Sequence, residues 1–364
     1  MPSTNSTIVT AVESTISEDE KAVYDRQIRL WGLETQNRLR NSTVLVAGLS
    51  GCGSEVAKNL MLTGLKSLTL LDNKTICADD YCNQFLLQCG DEGKNRAEAS
   101  RQKCQLLNPN VELYVDTENI SEKDENFFTG FDLIILVDQK YTTVNYINKI
   151  CRNAKKPFIA GGVFGWIGYA FFDFTGCSFL VTIPKVRTGG VLEDDCMEDG
   201  PSSTKKSRIS IELENGKGGK KNNASMNVVL DDEDEKVQMT FSYPTWNDAW
   251  NVEWSHKRLF RKAKRILPRS YFPVRVMLRL QDSGDAVDQE KFIELWKREL
   301  EQCNHILDDD FVGPQLSLAC AIVGAHMAQE AIKVLSQKDD PLRNVFFYSA
   351  IDTSGIVCYL PPMV

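Results

Sequence analysis

Histidine and paired cysteine are what this chain is short of. Its three histidines, His256, His305 and His326, lie far apart, which argues against a histidine-rich metal site and against a histidine-based nucleophilic triad. The eleven cysteines include no C-x-x-C pair, and Cys77, Cys82 and Cys89 lack zinc-site spacing. They read as small, mostly buried hydrophobes in a reducing compartment, with no metal bound. Positive charge is outnumbered, 42 Lys and Arg against 50 Asp and Glu, and the net charge of −8 argues against nucleic acid as the main partner, because phosphate binding wants a basic face. Apolar runs of membrane-spanning length are missing. The longest, Leu316 to Ala328, is broken by Gly324 and His326 and reads as a buried core helix, so no membrane partner is expected. The first twenty residues carry neither the basic nor the apolar region of a secretion signal. Residues 1–16 read as a flexible polar tail, and the whole points to nucleus or cytosol.

What is present is organised around Thr43 to Asp72, TVLVAGLSGCGSEVAKNLMLTGLKSLTLLD. Val44 to Ala47 is a short apolar run fit for a strand buried on both faces. Gly48, Gly51 and Gly53 follow where a chain leaving a strand must turn tightly and show its backbone N–H groups. Glu55 to Leu62 places Val56, Ala57, Leu60 and Met61 on one helical face, with Gly64 as the C-terminal cap. Leu68 to Leu71 is a second buried strand, ending in Asp72. This βαβ unit implies an anion site at the helix N-terminus and an acid placed to meet a ribose. A tight turn with no ligand fits the same pattern.

Before this unit, Ser17 and Glu20 form an S-x-x-E capping box, predicting a helix from about Glu18 through YDRQIRLWG (Tyr24 to Gly32) to Leu39. Tyr24, Ile28 and Trp31 fall on one apolar face. Arg26 and Arg29 share another face, which could meet solvent, a partner or an anion. After Asp72 an irregular stretch runs to Gly93, then a helix from Lys94 to Leu107, stopped by Asn108-Pro109. Strands are predicted at Val111 to Val115, Phe131 to Val137 and Phe158 to Ala160, with Gly161-Gly162 as a turn and a helix at Tyr146 to Ala154. Gly168 to Phe174 and Phe179 to Thr182 suggest strands of a more antiparallel kind. Alternating strands and helices define an α/β fold, a doubly wound, mostly parallel, Rossmann-like sheet.

Composition then breaks. Pro184 to Lys236 holds acidic clusters and lysine–glycine tracts and no aromatic residue, so it cannot bury enough apolar surface to offset its ordering entropy. It reads as a mobile loop. Lys205-Lys206-Ser207-Arg208 inside it could serve nuclear import. Order returns from Tyr243 to Leu307, where Trp246, Trp250 and Trp254 are spaced as a packing stripe and a helix is predicted from Asp288 to Cys303. A long apolar helix, Gln315 to Leu335, and strands at Val345 to Ser349 and Ile356 to Leu360 close the chain. The organisation expected is a main domain of 17–180 plus 311–364, interrupted by an α-rich, partly disordered insertion over 181–310.

YDRQIRLWG, GLSGCG, Asp72, the Asn108-Pro109 stop and the helix ending QEAIKVL together resemble the ubiquitin-activating superfamily, whose bacterial relatives include MoeB and ThiF. The short chain, GKNRAEAS (Gly93 to Ser100) and QLLNP narrow the resemblance to the branch that activates SUMO. The resemblance implies an adenylation domain. Active members bind ATP and Mg²⁺ and adenylate the C-terminal carboxylate of a ubiquitin-like protein. They carry roughly D-x-D-x-V-x-x-S-N-L-N-R-Q-F after the strand-ending Asp. Here Asp72 matches the first acid and Gln84-Phe85 the last two residues. Lys74 stands for the second acid, Asp79-Asp80 for Ser-Asn and Asn83 for the arginine. Ser50 replaces the middle glycine of GxGGxG, and Gln139, with Asp138 one residue early, stands where a metal-binding Asp belongs. Losing an arginine contact and gaining a repelling carboxylate would each cost on the order of a few kcal/mol in a shielded site.

The resemblance therefore implies a degenerate nucleotide pocket at Gly48, Gly51, Gly53 and Asp72, with ATP and Mg²⁺ bound in a larger catalytic partner subunit and none on this chain. It marks Arg26 as contacting the nucleotide phosphates in trans, with Arg29 in a lesser role. SUMO is the expected substrate, and the SUMO-conjugating enzyme an indirect partner. No thioester is expected here: Cys196 lies among carboxylates that would raise its pKa, Cys303 sits on a predicted helix, and neither has an evident helix N-terminus or basic partner. Alternatives are a NEDD8-activating subunit, a self-sufficient MoeB- or ThiF-type enzyme, an NAD-dependent oxidoreductase and a scaffold without catalytic part. Asn83 and the missing C-x-x-C pairs count against the second. The third leaves YDRQIRLWG unexplained.

Overall fold

The computed structural model of the chain describes residues 17–183, 235–252, 267–283, 293–295, 297–298 and 313–361. The 1–16 tail, residues 184–234 of the expected loop with Cys196 and the Lys205–Arg208 run, Trp254, His256, His305 and Cys303 lie outside the described residues, as does most of the predicted 288–303 helix. The chain divides into two compact units, Met1–Val181 with Gln238–Val364, and Thr182–Val237.

Eight strands form the main sheet of the first unit: β1 (Thr43–Ala47), β2 (Ser67–Leu71), β3 (Glu112–Asp116), β4 (Leu133–Val137), β5 (Phe158–Phe164), β6 (Ile167–Asp173), β9 (Val345–Ser349) and β10 (Ser354–Cys358). Their order is β10-β9-β6-β5-β4-β1-β2-β3. The five from β5 to β3 run parallel; β6, β9 and β10 pair antiparallel. A two-stranded ribbon pairs β7 (Ser178–Ile183) with β8 (Glu235–Thr240). Side-chain alternation explains why the central strands read as unbroken apolar runs. Val44 and Val46 point into the core on one face, Leu45 and Ala47 into the core on the other, and β4 divides in the same way.

Helices cover both faces. On one side lie α3 (Gly51–Thr63), α4 (Arg96–Leu107) and α9 (Ser317–Ser336); on the other, α6 (Tyr141–Asn153), α7 (Trp246–Trp250) and α8 (Tyr271–Ser283), with the short α5 (Glu125–Thr129). Trp246 and Trp250 are fully buried, their rings 5.4 Å apart, which is the packing role their spacing suggested. Burying a side chain of that size contributes roughly 2–3 kcal/mol. These tryptophans and α8, all within the 181–310 stretch expected as an insertion, pack in the first unit's core.

Capping decides the N-terminal helices. Ser17 and Glu20 make the expected box, with the Glu20 N–H donating to Ser17 Oγ at 3.3 Å and the Ser17 N–H to Glu20 Oε2 at 3.0 Å. The single helix expected through Leu39 is instead two, α1 (Glu18–Trp31) and α2 (Leu33–Arg40). Gly32, at φ 89°, breaks it, because a left-handed residue cannot continue the ladder. Tyr24 anchors α1: its ring is buried and its hydroxyl accepts from Asn108 Nδ2 at 2.8 Å. Gly161 and Gly162 do not turn the chain. They lie inside β5, where the Met327 and Asp138 side chains press on positions that a Cβ would fill, and the reversal comes at Gly165-Trp166.

The α9 helix is long and apolar enough to span a membrane, yet in this fold it packs against α3 and the sheet through Ala319, Val323, Met327 and Ala331. On it the buried Glu330 holds the approach to β9, accepting from the Leu342 N–H at 2.7 Å and pairing with Lys333 Nζ at 2.7 Å. Burial pushes its carboxyl above the ordinary 4.5, against the pull of Lys333 and the Leu342 N–H, while Asp340 adds to the rise. A raised folded-state value means that this contribution to stability is complete below about 4.5 and is lost as pH rises through the folded value. Glu330→Gln is therefore expected to flatten the fall of melting temperature with pH above that point. An unchanged slope would remove Glu330 from the account.

Candidate functional site

The glycine turn between β1 and α3 is where the sequence placed a ligand, and the structure shows what its glycines meet. Gly48 sits at φ 102°, and a Cβ there would overlap the carbonyl oxygen of Val137. A Cβ on Gly53 would overlap the carbonyl oxygen of Gly48. Both needs are internal to the fold. Asp72, buried at the end of β2, accepts from the Leu49 N–H at 2.6 Å and the Lys74 N–H at 2.8 Å. It braces the turn with the carboxylate that was expected to face a ribose.

The face of the turn is covered by side chains from distant segments. Asn83 lies over Gly51, with its Oδ1 2.7 Å from where a Gly51 Cβ would be; that oxygen is buried without a partner. Asn83 Nδ2 reaches the carbonyls of Asp79 and Gln315 at 3.4 Å each. Ser50, at the N-cap of α3, does not cap the helix and donates its hydroxyl to Asp138 Oδ2. Asp138, at φ 51°, also accepts from Gln315 Nε2 at 2.7 Å and the Val163 N–H at 3.2 Å. Burial raises its pKa, while the Ser50 and Gln315 bonds and the charge of Lys74 pull it back. Gln139 turns aside, donating to the Val137 carbonyl at 3.1 Å. Arg96 forms a fork with Asp80, through Nε at 3.0 Å and its second terminal nitrogen at 2.7 Å.

Gly48, Gly51, Gly53 and Asp72 thus come together as expected. The sequence marks Asp80 as an intruding acid and Asp138 as one residue early for a metal ligand, but it assigns no role to Gln315 or to Arg96 as the partner of Asp80. Arg96 lies within GKNRAEAS, sixteen residues from Asp80 across an irregular stretch, and nothing local marks the two as partners. Nothing local marks Gln315, which is 177 residues from Asp138.

The two arginines of α1 lie apart from this turn in their bonding. Arg29 is engaged in a fork with Asp25 one helical turn away, at 3.1 and 3.0 Å. Arg26 is exposed and forms no ion pair or hydrogen bond with another described residue. Val23 and Leu30, three residues before it and four after, are 65% and 80% exposed and flank it on the same helical face. Among the described residues no three His, Cys, Asp or Glu side chains gather as a metal ligand set. Burial pushes the thiols of Cys104 and Cys151 up to about 12, which makes them inert packing groups.

A parallel sheet flanked by helices, with a glycine turn opening α3 and three antiparallel strands at one edge, matches the ThiF family over residues 24–358, and the chain belongs to that family. Along nearly its whole length it is similar to SUMO-activating enzyme subunits. It is 36% identical to subunit aos-1 of Caenorhabditis elegans, covering 96% of this chain and 99% of that protein. It is 37% identical to SUMO-activating enzyme subunit 1 of Bos taurus and of Homo sapiens, each covering 95% of this chain and 97% of the relative. Among solved structures, that of PaaA shares the fold, with a TM-score of 0.52 and 16% identity over 95% of this chain and 85% of PaaA.

Proposed function

We propose that this chain is the non-thioester-forming subunit of a heterodimeric SUMO-activating enzyme. The full-length likeness to SUMO-activating enzyme subunit 1 proteins carries this reading. In it, ATP and Mg²⁺ bind to the larger catalytic partner subunit, which adenylates the SUMO C-terminus and forms the thioester before transfer to the conjugating enzyme. This chain's own pocket takes no part in catalysis. The side chains of Asn83, Asp138 and Gln315 over the glycine turn support that view, since each occupies room or donors that a triphosphate would need. Work in the nucleus, with the cytoplasm also open to it, goes with the reading, since cysteines without a disulfide pattern suit either reducing compartment.

Arg26 is the contribution of this chain to the reaction. Adenylation builds negative charge on the α-phosphate and on the departing pyrophosphate, and a guanidinium offers paired donors to it. An exposed arginine without an internal partner, rimmed by Val23 and Leu30, suits insertion into a neighbouring subunit's site. Arg29 supports the helix through Asp25 and has less to give.

ATP–pyrophosphate exchange tests the whole. The purified chain is expected to show no SUMO-dependent exchange and no thioester, and the complex with the larger subunit to show both. Exchange by the isolated chain would replace this reading with that of a self-sufficient adenylating enzyme.

A further inference from the structure

The groups that an anionic ligand would require at the glycine turn are already engaged by the chain's own acids. The Arg96 fork to Asp80 is shielded: the two side chains are 14% and 6% exposed. Asp80 is held from a second direction, its Oδ2 accepting from the Cys77 N–H at 2.9 Å. The Asp138 carboxyl occupies the Ser50 hydroxyl, the Gln315 amide and the Val163 N–H. Asn83 turns an unpartnered, buried carbonyl oxygen toward Gly51 at the start of α3. An acceptor there faces the positive end of the helix and repels a phosphate oxygen, which is also an acceptor.

We propose that this pocket is an anion site satisfied from within: Asp80 serves as the built-in counter-anion of Arg96, and with the Asp138 carboxyl and the Asn83 amide it keeps phosphates off the glycine turn. The proposal rests on the reading that the pocket is out of catalytic use and names what holds it shut. A phosphate reaching Arg96 must break a shielded two-point ion pair. It must also sit against the displaced Asp80, within reach of the charge of Asp72. Removing one partner of such a pair leaves the other charge buried and uncompensated, so the site with Asp80 neutralised becomes a place where an outside anion is wanted. The chemical class that fits is a pyrophosphate or the polyphosphate part of a nucleotide.

Thermal melting of the full-length chain with increasing inorganic pyrophosphate tests this. Wild type is expected to show no saturable shift. Asp80→Asn is expected to melt lower without ligand, and its melting temperature to rise saturably with pyrophosphate, corresponding to an apparent affinity at least about tenfold above wild type. The double variant Asp80→Asn with Arg96→Gln removes both charges and is expected to lose the response. Equal responses in wild type and Asp80→Asn, including none in either folded protein, would overturn the proposal. If Asp80→Asn does not fold, wild type decides: a saturable rise overturns the proposal and a flat titration upholds it. These outcomes are independent of the exchange assay, because the catalytic nucleotide of the proposed heterodimer lies in the partner. Failure of one reading is thereby visible without the other.

Discussion

Arg26→Ala is expected to lower the rate of SUMO adenylation by the proposed heterodimer by about tenfold or more, with assembly and melting temperature unchanged. A tenfold loss corresponds to about 1.4 kcal/mol of transition-state stabilisation. That is modest for a charge-assisted contact in a site shielded from water. The structure makes the experiment clean: Arg26 is exposed and bonds to no described neighbour, so its removal takes nothing from this chain's own stability. Arg26→Lys keeps the charge and loses the fork, so its rate should fall between wild type and Arg26→Ala. Arg29→Ala is the internal control. It breaks an exposed i,i+4 pair with Asp25, worth about 0.3–0.5 kcal/mol, and should leave the rate within about twofold of wild type. A rate for Arg26→Ala equal to wild type would take Arg26 out of the partner's site, and an equal loss in Arg29→Ala would point to the helix surface as a whole.

That contrast between two arginines three residues apart follows from local spacing: Arg29 stands four residues after Asp25, whereas no acid lies three or four residues from Arg26, which is flanked by Val23 and Leu30. The elements themselves were legible wherever one local rule governed. The Ser17–Glu20 box, the Asn108-Pro109 stop and the doubly buried strands β1, β2 and β4 fall within a residue or two of expectation. Errors arose where a residue's local tendency met a distant neighbour. Gly161-Gly162 spells a turn, yet Met327 from α9 and Asp138 after β4 press against it, and the strand runs on. In α1, a helical period continued across Gly32 although the backbone did not. Trp246 and Trp250 were recognised as packing residues, but nothing near them in sequence states that their packing partners include Tyr169 and Phe347 of the main sheet.

The same division runs through the site. Substitutions at Lys74, Asp79, Asp80 and Asn83 could be seen in the sequence as losses from a phosphate-binding pattern. Their replacement bonds could not, because Asp80–Arg96 spans an irregular stretch and Asp138–Gln315 joins segments 177 residues apart. A glycine pattern records a backbone requirement, and both a ligand and the fold can impose one. Here the fold imposes it, through the carbonyls of Val137 and Gly48. Losing Gly48 or Gly53 would injure the sheet-to-helix junction whether or not anything binds there, so the turn does not by itself require a nucleotide.

Gly53→Ala makes that argument measurable. The added methyl would overlap the Gly48 carbonyl oxygen, a backbone atom held by the Gly48 N–H bond to the Leu71 carbonyl at 2.8 Å and by the Asp72 brace on Leu49. Neither side can give way without shifting α3 from β1, and α3 carries much of one core face through Val56, Ala57, Leu60 and Met61. Overpacking at such a junction is expected to cost about 3 kcal/mol or more, enough to lower the melting temperature by several degrees or to leave the chain insoluble. Gly93→Ala is the matched comparison: its φ of 80° imposes strain, but no heavy atom lies within 4 Å of the added methyl, so the loss should be smaller. Should Gly53→Ala melt as wild type does, the turn would have slack, and its glycines would need a ligand to account for them. A large loss in the isolated chain without nucleotide would place the requirement in the fold itself.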